Sequence, residues 1–235
     1  MYKRFLTALA VALGLIISVQ VPAAAAPSSE KESVVQPELG HHNYDIHHNE
    51  GLIKHRAKEL GIDTEGKNAE DLAREVYETE IRRAADELGI ESKNQDIDKL
   101  AAEVHHKKVK QMAEKLGIET EGKDPKTLEK EVYEAKLKKK AEKLGITIKG
   151  KDTESIKQAI FEHYINKEAD KLGIDTEGKD YYNLAKEIQE KKIMQSAEKL
   201  GMDTKGKSPQ QLLNEIINNH ADEAKKLKLF PFGQG

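Results

Sequence analysis

The residues of this chain best placed to do chemistry are lysines that recur beside a turn. Lys67, Lys123, Lys151, Lys179 and Lys207 each follow a glycine directly, and Lys93 stands just before Asn94 in the one copy without that glycine. Lysine is a compact positive charge on a flexible stem. Repeated in similar loops, it suits either the presentation of several protease-facing loops or multivalent attachment to an envelope component. These six lysines are the candidate site. Histidines are the second candidate: His41, His42, His47, His48 and His55 could bind a transition metal through neutral imidazoles. On a helix, ligands pair at i and i+4, and these are adjacent or at least five apart, so the patch reads as a polar helix start and no metal is assigned. His105 and His106 fall in a different repeat.

Enzymatic constellations do not appear. The chain has no cysteine, no glycine-rich phosphate loop, no serine in a strand–turn–helix setting and no paired-histidine zinc motif. Acid pairs such as Glu70-Asp71 are ordinary on a solvated helix. No catalytic residue and no cofactor are expected.

The elements that must position the lysines follow from a repeat. Leu-Gly pairs at Leu60, Leu88, Leu116, Leu144, Leu172 and Leu200 are separated by 28 residues each time, which marks a tandem array. Asn68, Asp96, Asp124, Asp152, Asp180 and Ser208 form a column of helix N-caps, and Pro125 and Pro209 follow two of them where a helix accepts proline best. Apolar residues then keep to one helical face, as at Leu72, Val76, Ile81, Ala85 and Leu88. The glycine after each leucine is a left-handed helix stop, and the next residue (Ile62, Ile90, Ile118, Ile146, Ile174, Met202) should fold back on an alanine five positions earlier. A second left-handed position lies at Gly66, Gly122, Gly150, Gly178 and Gly206, with Asn94 in the odd copy.

The expected fold is therefore all-α. Each repeat is a helix of about 20 residues, close to 30 Å long, with a loop of about eight that spans at most about 28 Å. Neighbouring helices are then antiparallel or bent. Two forms of the helix fit the pattern, one continuous and one broken near Tyr77-Glu78. The final copy decays, with Leu227-Lys228-Leu229 in place of Leu-Gly-Ile, as a capped array does.

Composition agrees with many small cores: no cysteine, no tryptophan, 5% aromatic and 34% charged residues. At the start, Lys3 and Arg4 precede an apolar run at 6–19 and a small-residue zone at 23–26. That pattern reads as a signal peptide over 1–26, cut around Ala23 to Ala26. Its loss takes two of the 39 basic residues and none of the 42 acidic ones, for a net charge of −5. A disordered linker is expected over 27–40, the array over 41–229, and a tail over 230–235.

The stretch Leu-Gly-Ile-Asp-Thr-Glu-Gly-Lys and the helix after it, residues 60–76, resemble the SAP family of helix–extended loop–helix modules, which implies DNA binding. SAP modules use basic residues around the second helix, and here Glu70, Asp71 and Glu75 occupy it. With a net negative charge and an export signal, no nucleic-acid partner is expected. The polar faces mix both signs, so no membrane partner is expected for the mature form. Taken whole, the export signal, the lack of cysteine, the Ser/Pro/Glu-containing segment 28–38 and the tandem units resemble cysteine-free, multi-domain proteinase inhibitors secreted by Gram-positive bacteria. That resemblance implies stoichiometric inhibition of extracellular trypsin-like or subtilisin-like proteases. The alternative is an extracellular structural or adhesive repeat protein that binds the cell envelope or itself.

Overall fold

The computed structural model describes residues 49–233. The expected signal peptide, the linker, the histidines at 41–48 and residues 234–235 lie outside the described residues. Among those described, all regular structure is helical: α1 (Glu50–Leu60), α2 (Ala69–Glu87), α3 (Ile97–Leu116), α4 (Pro125–Lys143), α5 (Thr153–Leu172), α6 (Tyr181–Lys199), α7 (Pro209–Asn219) and α8 (Ala221–Lys226). The five full helices are 19 or 20 residues long. α2 runs unbroken through Tyr77-Glu78, and α3 to α6 run unbroken through the equivalent positions, whereas the last unit takes the broken form, with His220 interrupting the helix between α7 and α8.

Helices α2 to α7 each start where the cap residue of their repeat stands. Asn68, Asp96, Asp152 and Asp180 accept from the backbone N–H three residues on, at 2.9, 3.1, 2.8 and 2.9 Å. Asp124 accepts from Lys126 and Thr127, and Ser208 exchanges bonds with Gln211 in a reciprocal capping box. The hydrogen bonds from Thr127, Ser155 and Asn183 hold the Asp124, Asp152 and Asp180 carboxyls below the usual range, so these caps stay ionised.

Helices α1 to α6 also stop where the Leu-Gly signal directs. The N–H of Ile62, Ile90, Ile118, Ile146 and Ile174 donates to the carbonyl of Ala57, Ala85, Ala113, Ala141 and Ala169 at 2.9 Å, and Met202 donates to Ala197 at 3.0 Å. All six alanines are fully buried. The intervening glycines have φ between 62° and 77°, a region a β-carbon makes costly. The decayed last copy keeps this geometry: Lys228 takes φ 53° and Leu229 N–H donates to the carbonyl of fully buried Ala224 at 2.8 Å.

Packing divides each long helix in two. The second half of α2 (Ile81, Ala85), with Leu88 and Ile90 just after it, forms one core with the first half of α3 (Ile97, Leu100, Val104). The second half of α3 then joins the first half of α4 through Val109, Ala113, Leu128 and Val132. The α4–α5 and α5–α6 junctions repeat the scheme around Ala141, Ile156 and Ile160, and around Ala169, Ile174, Leu184 and Ile188. The apolar stripe read as one face thus serves two successive cores, because a loop of eight or nine residues (61–68, 88–96) brings only the end of one helix against the start of the next. The packing unit is a helix–loop–helix, half a period out of step with the sequence unit.

The last core is larger. Ile193 and Ala197 of α6 meet Leu212, Leu213, Ile216 and Ile217 of α7, with Ala224 and Leu229 folded back and Phe230 and Phe232 packed against them. Residues 230–233, the start of the expected tail, are therefore part of the folded end. Leu52 of α1 packs on this same core. Each helix touches the next, and α7 also touches α1, so the circuit of helix contacts closes.

Candidate functional site

The loops that carry the candidate lysines are built from local hydrogen bonds. After the helix stop, an acid turns back on the chain: Asp63, Asp175 and Asp203 accept from the backbone N–H of Glu65, Glu177 and Lys205 at 3.1, 3.1 and 3.0 Å. A left-handed residue follows (Gly66 φ 70°, Asn94 φ 57°), and then the lysine column leads into the N-cap. Backbone bonds from Lys151 to Ile148 and from Lys179 to Thr176 close the turn. A loop tied at both ends and in the middle in this way loses much of its freedom without a disulfide.

The structure divides the six lysines. Lys67, Lys179 and Lys207 reach forward to Glu75, Glu187 and Glu215 on the first turns of the next helix, at 2.6, 2.6 and 2.5 Å, and Lys123 pairs with Glu131 in the same way. Their side chains are 27–34% exposed. In these four loops the ammonium clamps the loop to its helix. Lys93 and Lys151 are different: both are exposed, Lys93 stands two residues before the lysine column, so the glutamate of that column, Glu103, is out of register with it, and Lys151 has no glutamate eight positions on. In the Lys93 loop, Gln95 occupies the lysine column and donates to the Glu91 carbonyl at 2.7 Å, while Arg82 donates to the Ser92 carbonyl at 2.6 Å. In the Lys151 loop the position eight residues on is Ala159. The glutamate partners were not singled out from sequence, although a Lys-to-Glu spacing of eight in four of six units would have shown them.

The seam between α1 and the α7–α8 region is a second feature. Asn49 donates to the Asn214 side-chain carbonyl at 3.2 Å across a separation of 165 residues. The His55 ring lies 5.1 Å from Phe232, edge to face. Its nitrogens face Glu59 at 3.5 Å and Asp222 at 3.9 Å, and Lys225 is paired with Glu59. Burial, with Lys225 adding to it, holds the His55 imidazole below its ordinary pKa, while Asp222 pulls the other way. Gly51 marks the closest approach: a β-carbon there would meet Asn218 and come within 2.6 Å of the Ile217 methyl. The equivalent positions in other units are Thr79, Lys107, Ala135, His163 and Lys191. His105 meets Glu129 at 3.1 Å on the next helix. Among the described residues, no three histidine or acid side chains are grouped to hold a metal ion.

No protein-family model matches this sequence, and no curated protein or solved structure shows significant similarity to it.

Proposed function

We propose that this chain is a secreted, non-catalytic binding protein that inhibits extracellular serine proteases by stoichiometric contact through its interhelical loops. The observation that supports this reading most is the stiffness of the loops. The loops that carry Lys93 and Lys151 lie between a helix stop and an N-cap and are tied internally, so presenting them to a cleft costs little ordering entropy. Lys93 and Lys151 are the residues that enter the protease, since their ammoniums are exposed and unclamped. Lys67, Lys123, Lys179 and Lys207 serve their own loops.

The test is a titration of the mature protein against trypsin and subtilisin, following residual activity on a small substrate. Activity should fall to zero near a stoichiometric ratio, with the protein intact on a gel. The Lys93→Gln/Lys151→Gln double variant should lose trypsin inhibition, and Lys67→Gln/Lys179→Gln should keep it. Full residual activity with rapid digestion rejects the reading.

The clamped lysines support the second reading, an adhesive or envelope-bound repeat protein, because they remove four of the six proposed protease contacts. That protein would pellet with cells, whereas the inhibitor stays in the culture fluid.

A further inference from the structure

The six units differ sharply in charge at one place. Consider the last helical turns and the loop of each unit, up to the lysine column. Segments 54–67, 82–95, 110–123, 166–179 and 194–207 are within one charge of neutral, whereas 138–151 carries six lysines against Glu142 alone, a net of +5. The substitutions responsible are specific. Thr147 stands where the other units have Asp63, Glu91, Glu119, Asp175 and Asp203. Lys149 replaces the acid kept at Glu65, Glu121 and Glu177, and Ala159 removes the carboxylate that clamps four of the other loop lysines.

Lys138, Lys139, Lys140, Lys143, Lys149 and Lys151 are all exposed. None is ion-paired with a described residue. Lys140 lies 4.7 Å over the ring of Tyr164, itself 37% exposed on α5. The whole chain carries −3, so this positive field is local. Every cation in it is a lysine. Arginine forks fix one phosphate in one geometry, whereas mobile ammoniums act as point charges and suit phosphate groups spread along a chain. The lysines also lie exposed along a helix end and its loop instead of converging on an enclosed site, which suits a polymer over a small anion.

We propose that the C-terminal half of α4 and the α4–α5 loop bind a linear polyanion, a phosphodiester-linked polyol polymer of the cell envelope. The choice of an envelope polymer takes only its location from the export signal in the sequence. Among the described residues only Tyr164 lies beneath a lysine of this patch, and one such ring offers little for successive bases to stack on, which disfavours nucleic acid.

The experiment is fluorescence anisotropy of end-labelled poly(glycerol phosphate) with the mature protein. Binding is expected at about 50 mM salt, and log K should fall against log salt with a slope of about −4 if six phosphates are neutralised. The Thr147→Glu/Lys149→Glu variant gives this loop the acids of its sister at Glu119 and Glu121, which the fold accepts; it should keep the parent melting temperature and bind roughly tenfold more weakly. Lys138→Gln/Lys139→Gln/Lys143→Gln should lower the salt slope by about 2. No binding at low salt, or unchanged binding in both variants, overturns the proposal. Equal affinity for polyglutamate overturns the phosphate assignment. Tighter binding of single-stranded DNA of equal charge overturns the envelope assignment in favour of nucleic acid. Both variants retain Lys93 and Lys151, so the protease titration run on them reports on inhibition separately.

Discussion

Replacing Ala141 with leucine tests the helix terminator directly. Ala141 is fully buried, and its carbonyl accepts the Ile146 N–H at 2.9 Å, so the returning chain lies against this residue. Leu137, Leu144, Ile146, Ile148, Ile156 and Ile160 pack in the same core, so three more carbons there must displace neighbours. Overpacking of this kind costs about 1–3 kcal/mol. The cost should fall first on one core, because α4 and α5 share few contacts beyond their neighbours. Local opening then becomes easier by roughly 5- to 150-fold in amide hydrogen exchange, at about 1.4 kcal/mol per tenfold. The assay is exchange followed by mass spectrometry on peptides spanning 137–160, with peptides of α2 and α7 as internal references. Glu142→Leu is the control: the neighbouring exposed site should change stability by no more than about 0.5 kcal/mol. Unchanged exchange over 137–160 in Ala141→Leu, or an equal loss in every helix, would refute the packing argument. The first result would mean that Ile146 does not need the small side chain; the second would mean that the cores are not separate.

Three further outcomes follow from the ends of the array. Lys228→Gly relieves a left-handed lysine and should raise the thermal midpoint by an amount equivalent to about 1 kcal/mol, and a lowered midpoint would contradict the terminator read there. Gly51→Ala, normally favourable by about 1 kcal/mol inside a helix, should here destabilise, since its β-carbon would press on the Ile217 methyl; exchange should rise in α1 and α7 and stay constant in α4, and a stabilised variant would show that the seam is loose. Because the folded state lowers the pKa of His55, the folded state binds fewer protons than the unfolded one as pH falls, so this contribution is complete above the ordinary value of 6.5 and is lost as pH falls below it. Thermal midpoints should therefore drop between pH 7 and 5, and His55→Gln should flatten that slope; an equal slope in the variant would assign the effect to other groups.

Much of the fold is legible in the sequence because the signals are short-range. A side chain of the cap type at Asp152 reaches an N–H three residues on, and the Ile146 N–H reaches a carbonyl five residues back. Both bonds close within one or two helical turns, so residue type and spacing fix them without help from the rest of the chain. The same holds for Asn94, whose left-handed φ follows from its place in the glycine column. The lysine column was legible as a repeated feature, and its role was not. Whether Lys67 projects or clamps depends on Glu75 lying within reach once the loop and the next helix have taken their relative angle.

The sequence by itself determined where each of the five full helices begins and ends, how often the unit recurs and which residues are apolar enough to be buried. Only the tertiary structure decided that the two halves of one helix enter different cores, because an apolar stripe records burial and not the identity of the neighbour. It also decided that α1 meets α7. That contact joins Asn49 to Asn214 across 165 residues, and its one sequence trace is the small Gly51. Distant contacts of this kind arise from the accumulated angles of all the intervening junctions, and no local pattern carries that sum.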